Sequence, residues 1–502
     1  MQSDDVKPDI GRRIAGALAW SSIGTWGQFA ITAGALVIMA RLLGPGPFGV
    51  NAAAWIVIGF GQAVVAGALA QVLVQRQTVE PGHFDATLWA NLALGIGLAA
   101  AILATRTTIS QALSIPAASD VISISVFVLP IVAAQGVPEA ILLRNLRFRE
   151  VAIINNIAAA LGNLTGIILA VLGFGVWSLV SIALITALVK LAGAAIATRW
   201  TPGISCRKRH FTDLGKFNTF VIGARLLTVG ERAIPRILIS SLFGETTLGL
   251  YTLGWRLFET LATTILDPII QIVLPTVSRA RERSGDLVRL FRNAIALATT
   301  IAFPVYGGLA AVAAVAVPVL FGESWGPAAP VVSVLACFGA VRALSAIQGD
   351  SLRGFGKPFE AFAVVGTGFA ITLILAPLGS SLGSVGIAGA LVASGLLVWP
   401  LGAHFVARTG GIPVRDQIAP ALPALAAAAV MVAAVTGVIA FTRDAMGEPA
   451  LLALAIGVGI AVYALALAVV ARPIVRFAIS LAAAVLRRDR AALGRLFGEV
   501  GG

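Results

Sequence analysis

Charged residues are scarce in this sequence, and their scarcity excludes a water-soluble fold. Only 12% of the 502 residues are charged, 58% are hydrophobic, and the mean hydropathy is +0.95. A soluble protein needs a charged surface, and a chain of 502 residues cannot bury so large a fraction of apolar side chains in a water-excluded core. The composition therefore indicates a membrane protein whose solvent is lipid.

Histidine and cysteine are nearly absent as well, which removes most metal and covalent chemistry. The spacing of Cys206 and Cys337 supports neither a disulfide framework nor a metal cluster. The three histidines, His83, His210 and His404, are expected in solvated or interfacial positions near cytoplasmic span ends. The sequence also has no nucleotide-binding loop of the G-x-x-x-x-G-K-[ST] kind. We therefore expect no catalytic residue, no metal, no cofactor and no direct use of ATP.

Long apolar runs are abundant, and their length indicates membrane-spanning helices. The hydrocarbon core of a bilayer, roughly 30 Å thick, takes about 20 helical residues. Residues 450–471 are apolar throughout apart from glycine and Tyr463, whereas barrel strands alternate polar with apolar residues. The sequence thus predicts an all-α polytopic membrane protein with about fourteen spans: 14–40, 50–75, 86–105, 121–143, 151–173, 175–198, 217–243, 247–277, 294–321, 327–352, 358–378, 384–407, 418–441 and 450–471.

Lysine and arginine fall mainly on one predicted side of the membrane. The two ends and the even-numbered connections hold 27 of the 36, and the odd-numbered connections hold three, Arg41, Arg106 and Arg443. Because cytoplasmic loops retain positive charge, both termini are expected in the cytoplasm. The same scatter over short loops explains the formal charge of +13 without nucleic acid as a partner.

The chain repeats part of its sequence at an offset of 200 residues. LLGPGPFGVNAAAW at 42–55 matches LFGETTLGLYTLGW at 242–255. Three pairs coincide: Gly44 with Gly244, Gly49 with Gly249, and Trp55 with Trp255. Both copies are predicted at an outer turn, where glycine provides backbone freedom and tryptophan is expected to anchor at the interface. A weaker repeat, LLRNLRFRE from Leu142 and DSLRGFGKPFE from Asp350, follows the fourth span of each set.

At these motifs the chain resembles the Wzx-type polysaccharide flippases of the multidrug/oligosaccharidyl-lipid/polysaccharide (MOP) exporter superfamily. The resemblance rests on ARLLGPGPFG at 40–49, LLRNLRFRE at 142–150 and LGLY at 248–251. It implies a V-shaped, MATE-like fold in which two parallel six-helix lobes alternate access, followed by two accessory helices; the sequence places no charge inside these last two spans. The predicted boundaries are 1–200 for the first lobe, 201–216 for a cytoplasmic linker, 217–407 for the second lobe, 408–471 for the accessory pair, and 472–502 for a basic cytoplasmic or interfacial tail.

The resemblance also implies a transporter rather than an enzyme. Its expected activity is to move undecaprenyl-pyrophosphate-linked oligosaccharide across the bacterial inner membrane for exopolysaccharide or O-antigen synthesis. The expected partners are the lipid bilayer and, as the resemblance implies, a polysaccharide polymerase with its export machinery. Two alternatives stay open: a drug/cation antiporter of the MATE type, which shares the fold, and a membrane-embedded polysaccharide polymerase or ligase, which would need a sizeable outer loop.

Intramembrane charge is concentrated in the second set of spans. The first six spans contain only Glu139 and Lys190. The candidate pyrophosphate-binding residues are five arginines: Arg225, Arg232, Arg236, Arg256 and Arg342. The candidate coupling or ion-pairing residues are four acids: Glu231, Glu259, Asp267 and Asp350. Arginine grips pyrophosphate bidentately, so this set favours an anionic cargo, whereas an isolated acid would serve a cation antiporter.

Three of the arginines are predicted to lie on one helical face. At 100° per residue, the steps from Arg225 to Arg232 and to Arg236 return to within about 20° of one direction. An arginine row facing lipid would cost several kcal/mol, so it meets water, a ligand or acids on another span. The sequence leaves open whether the row binds substrate or forms structural ion pairs, including Arg256 with Glu259.

Overall fold

The computed structural model describes residues 26–68, 73, 80–203, 219–266 and 287–470. Every regular element in this part of the chain is a helix, which confirms the predicted all-α membrane class. Helices satisfy each backbone N–H and C=O within the segment, as hydrocarbon requires. The start of the first predicted span, most of the linker, Asp267 and the tail at 472–502 lie outside the described residues.

The chain forms two compact units, Met1–Thr252 and Leu253–Gly502. The first contains α1 (Trp26–Leu43), α2 (Pro45–Ala68), α3 (Pro81–Ala112), α4 (Ala118–Ser125), α5 (Val128–Arg144), α6 (Phe148–Val171), α7 (Val176–Thr198) and most of α8 (Thr219–Leu261). The second contains the end of α8, a π-helical turn (Ala262–Leu266), α9 (Leu287–Phe321), α10 (Ala329–Gly354), α11 (Pro358–Gly379), α12 (Gly383–Gly410), α13 (Val414–Ile418), α14 (Leu422–Thr442) and α15 (Glu448–Val470).

Eleven helical stretches of the described chain are long and apolar enough to cross a membrane. One of them, Pro358–Gly410, comprises both α11 and α12, which meet at the short turn Ser380–Leu382. Helix α8 is not among the eleven, because its glutamates and arginines lower its hydropathy, although it holds most of the seventh predicted span and about half of the eighth. The count of fourteen therefore stays a prediction.

The weaker sequence repeat corresponds to two turns with the same backbone. In the α5–α6 turn, the N–H of Arg147 donates to the carbonyl of Leu142 at 2.9 Å, and Leu146 has φ +56°. In the α10–α11 turn, the N–H of Lys357 donates to the carbonyl of Leu352 at 2.9 Å, and Gly356 has φ +70°. Both are helix C-caps with a left-handed residue. Each turn is followed by an ion pair between residues three positions apart in the sequence: Arg147 with Glu150, and Lys357 with Glu360.

The N-terminus of α3 contains a histidine that is more buried than the sequence suggested. His83 was expected in a solvated or interfacial position, and because it is only 4% exposed, it is not solvated. Its Nδ1 accepts the backbone N–H of Glu80 at 3.1 Å and thereby caps the helix. Nearby, Asp85 accepts the N–H of Gly203 at 2.9 Å, and Trp89 donates to the carbonyl of the same glycine at 2.9 Å. These contacts hold the segment after α7 against α3.

The predicted accessory helices α14 and α15 pack on α9. Met431 and Val435 of α14 and Leu451 and Ala455 of α15 share a buried apolar cluster with Val312 of α9. Their opposite faces carry exposed apolar side chains, as expected for helices in contact with lipid.

A buried glutamine fixes the segment that leads into this pair. Gln417 of α13 donates to the carbonyls of Ala403 and Ile412, each at 3.0 Å, and accepts from Gln348 at 3.1 Å. Satisfied buried amides of this kind specify one packing arrangement, because an unmade bond would leave a desolvated polar group.

Candidate functional site

Helix α8 carries most of the predicted site residues and is bent by a single glycine. Gly244, with φ +77°, interrupts α8 between a first half that carries Arg232 and Arg236 and a second half that carries Arg256 and Glu259. Gly44, the equivalent residue of the first copy of the repeat, has φ +70°. Only glycine adopts such angles without steric cost, so the expected role of both glycines is confirmed.

The two copies of the repeated turn pack directly on each other within the first unit. A Cβ atom on Gly49 would lie 1.7 Å from the carbonyl oxygen of Glu245. A Cβ atom on Gly249 would lie 1.9 Å from the carbonyl oxygen of Pro45. These two contacts are equivalent at the offset of 200 residues, so the crossing has a local two-fold symmetry. Backbone meets backbone here, and only glycine fits.

Arg232 and Arg236 lie one turn apart on the first half of α8, as the spacing predicts. Both side chains are partly buried, and the Nε atom of Arg236 is fully buried. Arg236 also acts electrostatically on Tyr251, whose side chain is completely buried beyond the Gly244 bend. Glu231, Arg232 and Arg236 each have further polar or electrostatic contacts, so none is an isolated charge. The side chain of Arg225 lies outside the described residues, and the three-arginine row stays a prediction.

The second half of α8 places Glu259 beside an aromatic cluster. Trp255 donates from Nε1 to Oε2 of Glu259 at 3.2 Å and packs against Phe258 and Phe338. Trp255 is only 3% exposed, so its predicted interfacial anchoring is wrong. Trp255 lies eleven positions after Gly244, about three helical turns along α8, and its ring packs in the core of the second unit instead.

The remaining candidates lie on α10. Asp350 accepts from Nε of Arg353 at 3.0 Å, an ion pair on the last turn of the helix. Arg342 lies two turns earlier, is partly buried and has contacts of its own. Thus Asp350 is paired with a neighbouring arginine at a helix end and does not stand alone in a span.

Sequence reasoning missed the tyrosines. The chain has three, Tyr251 on α8, Tyr306 on α9 and Tyr463 on α15, and the hydroxyls of Tyr306 and Tyr463 contact the backbone carbonyls of Phe258 and Thr300. Their small number could have drawn attention to them in the sequence. A tyrosine hydroxyl inside the membrane needs a hydrogen-bond partner, so each tyrosine there indicates a specific polar contact. Among the described residues, no group of three or more His, Cys, Asp or Glu is placed to hold a metal ion.

Comparison with known sequences gives one family and several relatives. A family model described as polysaccharide biosynthesis protein matches residues 38–330. The succinoglycan biosynthesis transport protein ExoT of Rhizobium meliloti (strain 1021) is 28% identical over 322 residues, 64% of this chain and 65% of that protein. The lipopolysaccharide biosynthesis protein WzxC of Escherichia coli (strain K12) is 21% identical over 66% of this chain and 68% of that protein. The chain thus spans about two thirds of these relatives.

Solved structures with a similar fold share little sequence. The lipid II flippase MurJ in an inward closed conformation matches 91% of this chain and 99% of its own, with a TM-score of 0.74 and 14% identity. An inward-facing multidrug resistance MATE family transporter of the MOP superfamily matches 79% of this chain and 95% of its own, with a TM-score of 0.54 and 16% identity. At such identities the likeness concerns the fold alone.

Proposed function

Since the chain belongs to the polysaccharide biosynthesis protein family, we propose that it is a flippase for undecaprenyl-pyrophosphate-linked oligosaccharide repeat units in the bacterial cytoplasmic membrane. The family match carries the proposal, because it covers both copies of the repeated turn and all of α8. The resemblance to Wzx-type flippases of the MOP superfamily is confirmed by this match and by the relatives. The polyprenyl-pyrophosphate carrier of the cargo is part of the proposal.

The charges on α8 support an anionic headgroup as the bound part of the cargo. Arg232 and Arg236 offer two guanidinium groups on one face, and guanidinium binds phosphate oxygens bidentately. Arg256 and Arg342 are the corresponding groups of the second unit, and Arg225 completes the proposed set. Partial burial strengthens such contacts relative to water, because the local dielectric is lower.

The repeated turns support alternating access as the mechanism. The reciprocal contacts of Gly49 with Glu245 and of Gly249 with Pro45 close two equivalent turns on each other at the predicted outer side. In the proposed cycle these turns separate when the carrier opens outward, as residues 14–198 rock against residues 217–407.

The two alternative activities find less support. A cation antiporter needs an exposed, unpaired acid, whereas Glu259 accepts from Trp255 and Asp350 pairs with Arg353. A polymerase or ligase needs a long outer loop. The connections at the predicted outer side are short in the described chain, the longest running through the 3-10 turn Glu323–Ala328.

The test of cargo begins with deletion of the gene in its host. Lipid-linked repeat units should then accumulate on the cytoplasmic leaflet, and polymer export should stop. Normal export with altered resistance to cationic drugs would contradict the proposal and favour the antiporter.

The test of the site is a pair of substitutions at Arg232 in the complemented strain. Arg232→Ala should lower export about tenfold or more at normal membrane levels, because charge-assisted bonds contribute about 1.5–3 kcal/mol. Arg232→Lys should restore it only partly, since lysine lacks the bidentate fork. Lys190→Ala, which removes an intramembrane cation of the first set, is the matched control. Loss of the folded protein in Arg232→Ala, with rescue by neutralising Glu259, would identify a structural ion pair instead.

A further inference from the structure

Helix α9 contains a break in its backbone hydrogen bonds within the membrane-spanning region. Pro304 lies inside α9, and a proline nitrogen carries no hydrogen. The carbonyl of Thr300, four residues earlier, therefore loses the partner that the helix would otherwise supply. In lipid no water replaces that partner, and an unsatisfied carbonyl costs free energy.

The missing donor comes from the last helix of the described chain. The hydroxyl of Tyr463, on α15, donates to the carbonyl oxygen of Thr300 at 2.7 Å. This is the ideal length of an O–H···O hydrogen bond. The Tyr463 ring packs against three buried apolar clusters formed by α9, α14, α15 and their neighbours, so the hydroxyl is held in place.

The turn that Tyr463 closes is followed directly by a side chain in the core of the second unit. Tyr306, two residues after Pro304, is completely buried, and its ring lies on Gly339 of α10. Its hydroxyl is 3.4 Å from the carbonyl oxygen of Phe258, and its ring is 6.1 Å from the Phe258 ring. Phe258 is next to Glu259 on α8. The conformation of the Thr300–Pro304 turn therefore affects, through Tyr306, the packing of the α8 segment that carries the candidate coupling residue Glu259.

We propose that Tyr463 is a positioning residue for α9, in that its hydroxyl replaces the N–H that Pro304 lacks and docking of α15 sets the geometry of the Thr300–Pro304 turn. The accessory pair is then more than a lipid-facing addition. Its Tyr463 hydroxyl stabilises one conformation of the Thr300–Pro304 turn. Through Tyr306, which follows that turn, it also fixes the packing against Phe258 at the end of α8. This proposal does not depend on the identity of the cargo.

The experiment compares Tyr463→Phe in two backgrounds of the full-length protein, reconstituted in lipid nanodiscs. In the native background the loss of the hydroxyl should raise amide hydrogen exchange at residues 300–306 roughly 2- to 10-fold, the range expected for one net hydrogen bond. Pro304→Ala restores the N–H, so adding Tyr463→Phe to Pro304→Ala should leave exchange in this segment unchanged. Thr436→Val is the matched control, because that hydroxyl donates to Val432 of its own helix at 2.7 Å.

Three results would overturn the proposal: no change with Tyr463→Phe, the same increase with and without Pro304, or an equal increase with Thr436→Val. If Pro304→Ala does not fold, the native background alone decides. An increase confined to residues 300–306 in Tyr463→Phe and absent in Thr436→Val supports the proposal. An increase spread over the whole second unit contradicts it, since loosened packing would explain it.

Discussion

The repeated turns at the predicted outer side and those at the predicted cytoplasmic side each share a backbone but are held by different contacts. The outer turns lie against each other, with Gly49 on the carbonyl of Glu245 and Gly249 on the carbonyl of Pro45. The α5–α6 and α10–α11 turns are each closed by their own hydrogen bonds and by their own ion pair. A turn packed on its copy must keep glycine in both copies, whereas a self-contained turn tolerates change.

The cytoplasmic turns show this tolerance directly. Leu146 stands in a left-handed conformation where the other copy has Gly356. The leucine bears the steric cost of this conformation, and its side chain is 62% exposed. Sequence identity between copies is thus highest where the two copies touch.

The largest effect is expected from methyl groups at the outer crossing. Gly49→Ala and Gly249→Ala should each disfavour the crossed arrangement by about 1–3 kcal/mol, because a Cβ atom cannot occupy the position of a carbonyl oxygen. Both should lower polymer export to a similar extent at normal membrane levels. Gly59→Ala on α2, where the new Cβ meets no atom within 4 Å, is the control. If one copy tolerates alanine, the symmetry of the crossing has no functional meaning.

A smaller effect, opposite in sign between copies, is expected at the cytoplasmic turns. Leu146→Gly should stabilise the protein and Gly356→Ala should destabilise it, each by about 1 kcal/mol, because a left-handed residue is strained unless it is glycine. Thermal unfolding of the purified protein in detergent measures both. Gly349→Ala on α10, a helical position with open space, should not lower stability. Shifts of equal sign would show that the turns are not independent of their surroundings.

The smallest effect is expected from the ion pairs that follow these turns. Glu150→Gln should cost more than Glu360→Gln, and both should cost less than about 1 kcal/mol because the groups are partly exposed. Arg147 contacts both oxygens of Glu150 and also donates to the carbonyl of Ala197 at 3.0 Å, whereas Lys357 is 3.9 Å from Glu360. Melting temperatures at low and high salt test this ranking. A larger loss in Glu360→Gln would reverse it.

The fold class was predictable because lipid imposes one dominant constraint. Apolar runs of membrane length must be helices, and their boundaries follow from glycine, proline and charge. Residues 151–173 and 175–198, for example, were predicted as spans, and the structure has α6 and α7 there. Helix α8 was harder, since its internal charges give no continuous apolar run, yet the repeat placed its bend at Gly244.

The partners of individual side chains were not predictable. Periodicity places Arg232 and Arg236 on one face but does not reveal that Arg236 acts on Tyr251 across a bend. Asp350 was a candidate for coupling, and its local pairing with Arg353 became visible only with the rotamers in place. Trp255 was expected to anchor at the interface and His83 to be solvated or interfacial, yet both side chains are buried in the protein, because residue type carries no information on the neighbouring helix.

By itself the sequence determined the solvent, the helical class and the register of the repeat, because these depend on composition, run length and spacing along one chain. The tertiary structure decided which backbones touch and which polar groups are satisfied. Gly49 meets Glu245, and Tyr463 meets Thr300, across nearly 200 and more than 160 residues of sequence. Such contacts arise from the packing of helices that are far apart in the chain, and no local pattern encodes them.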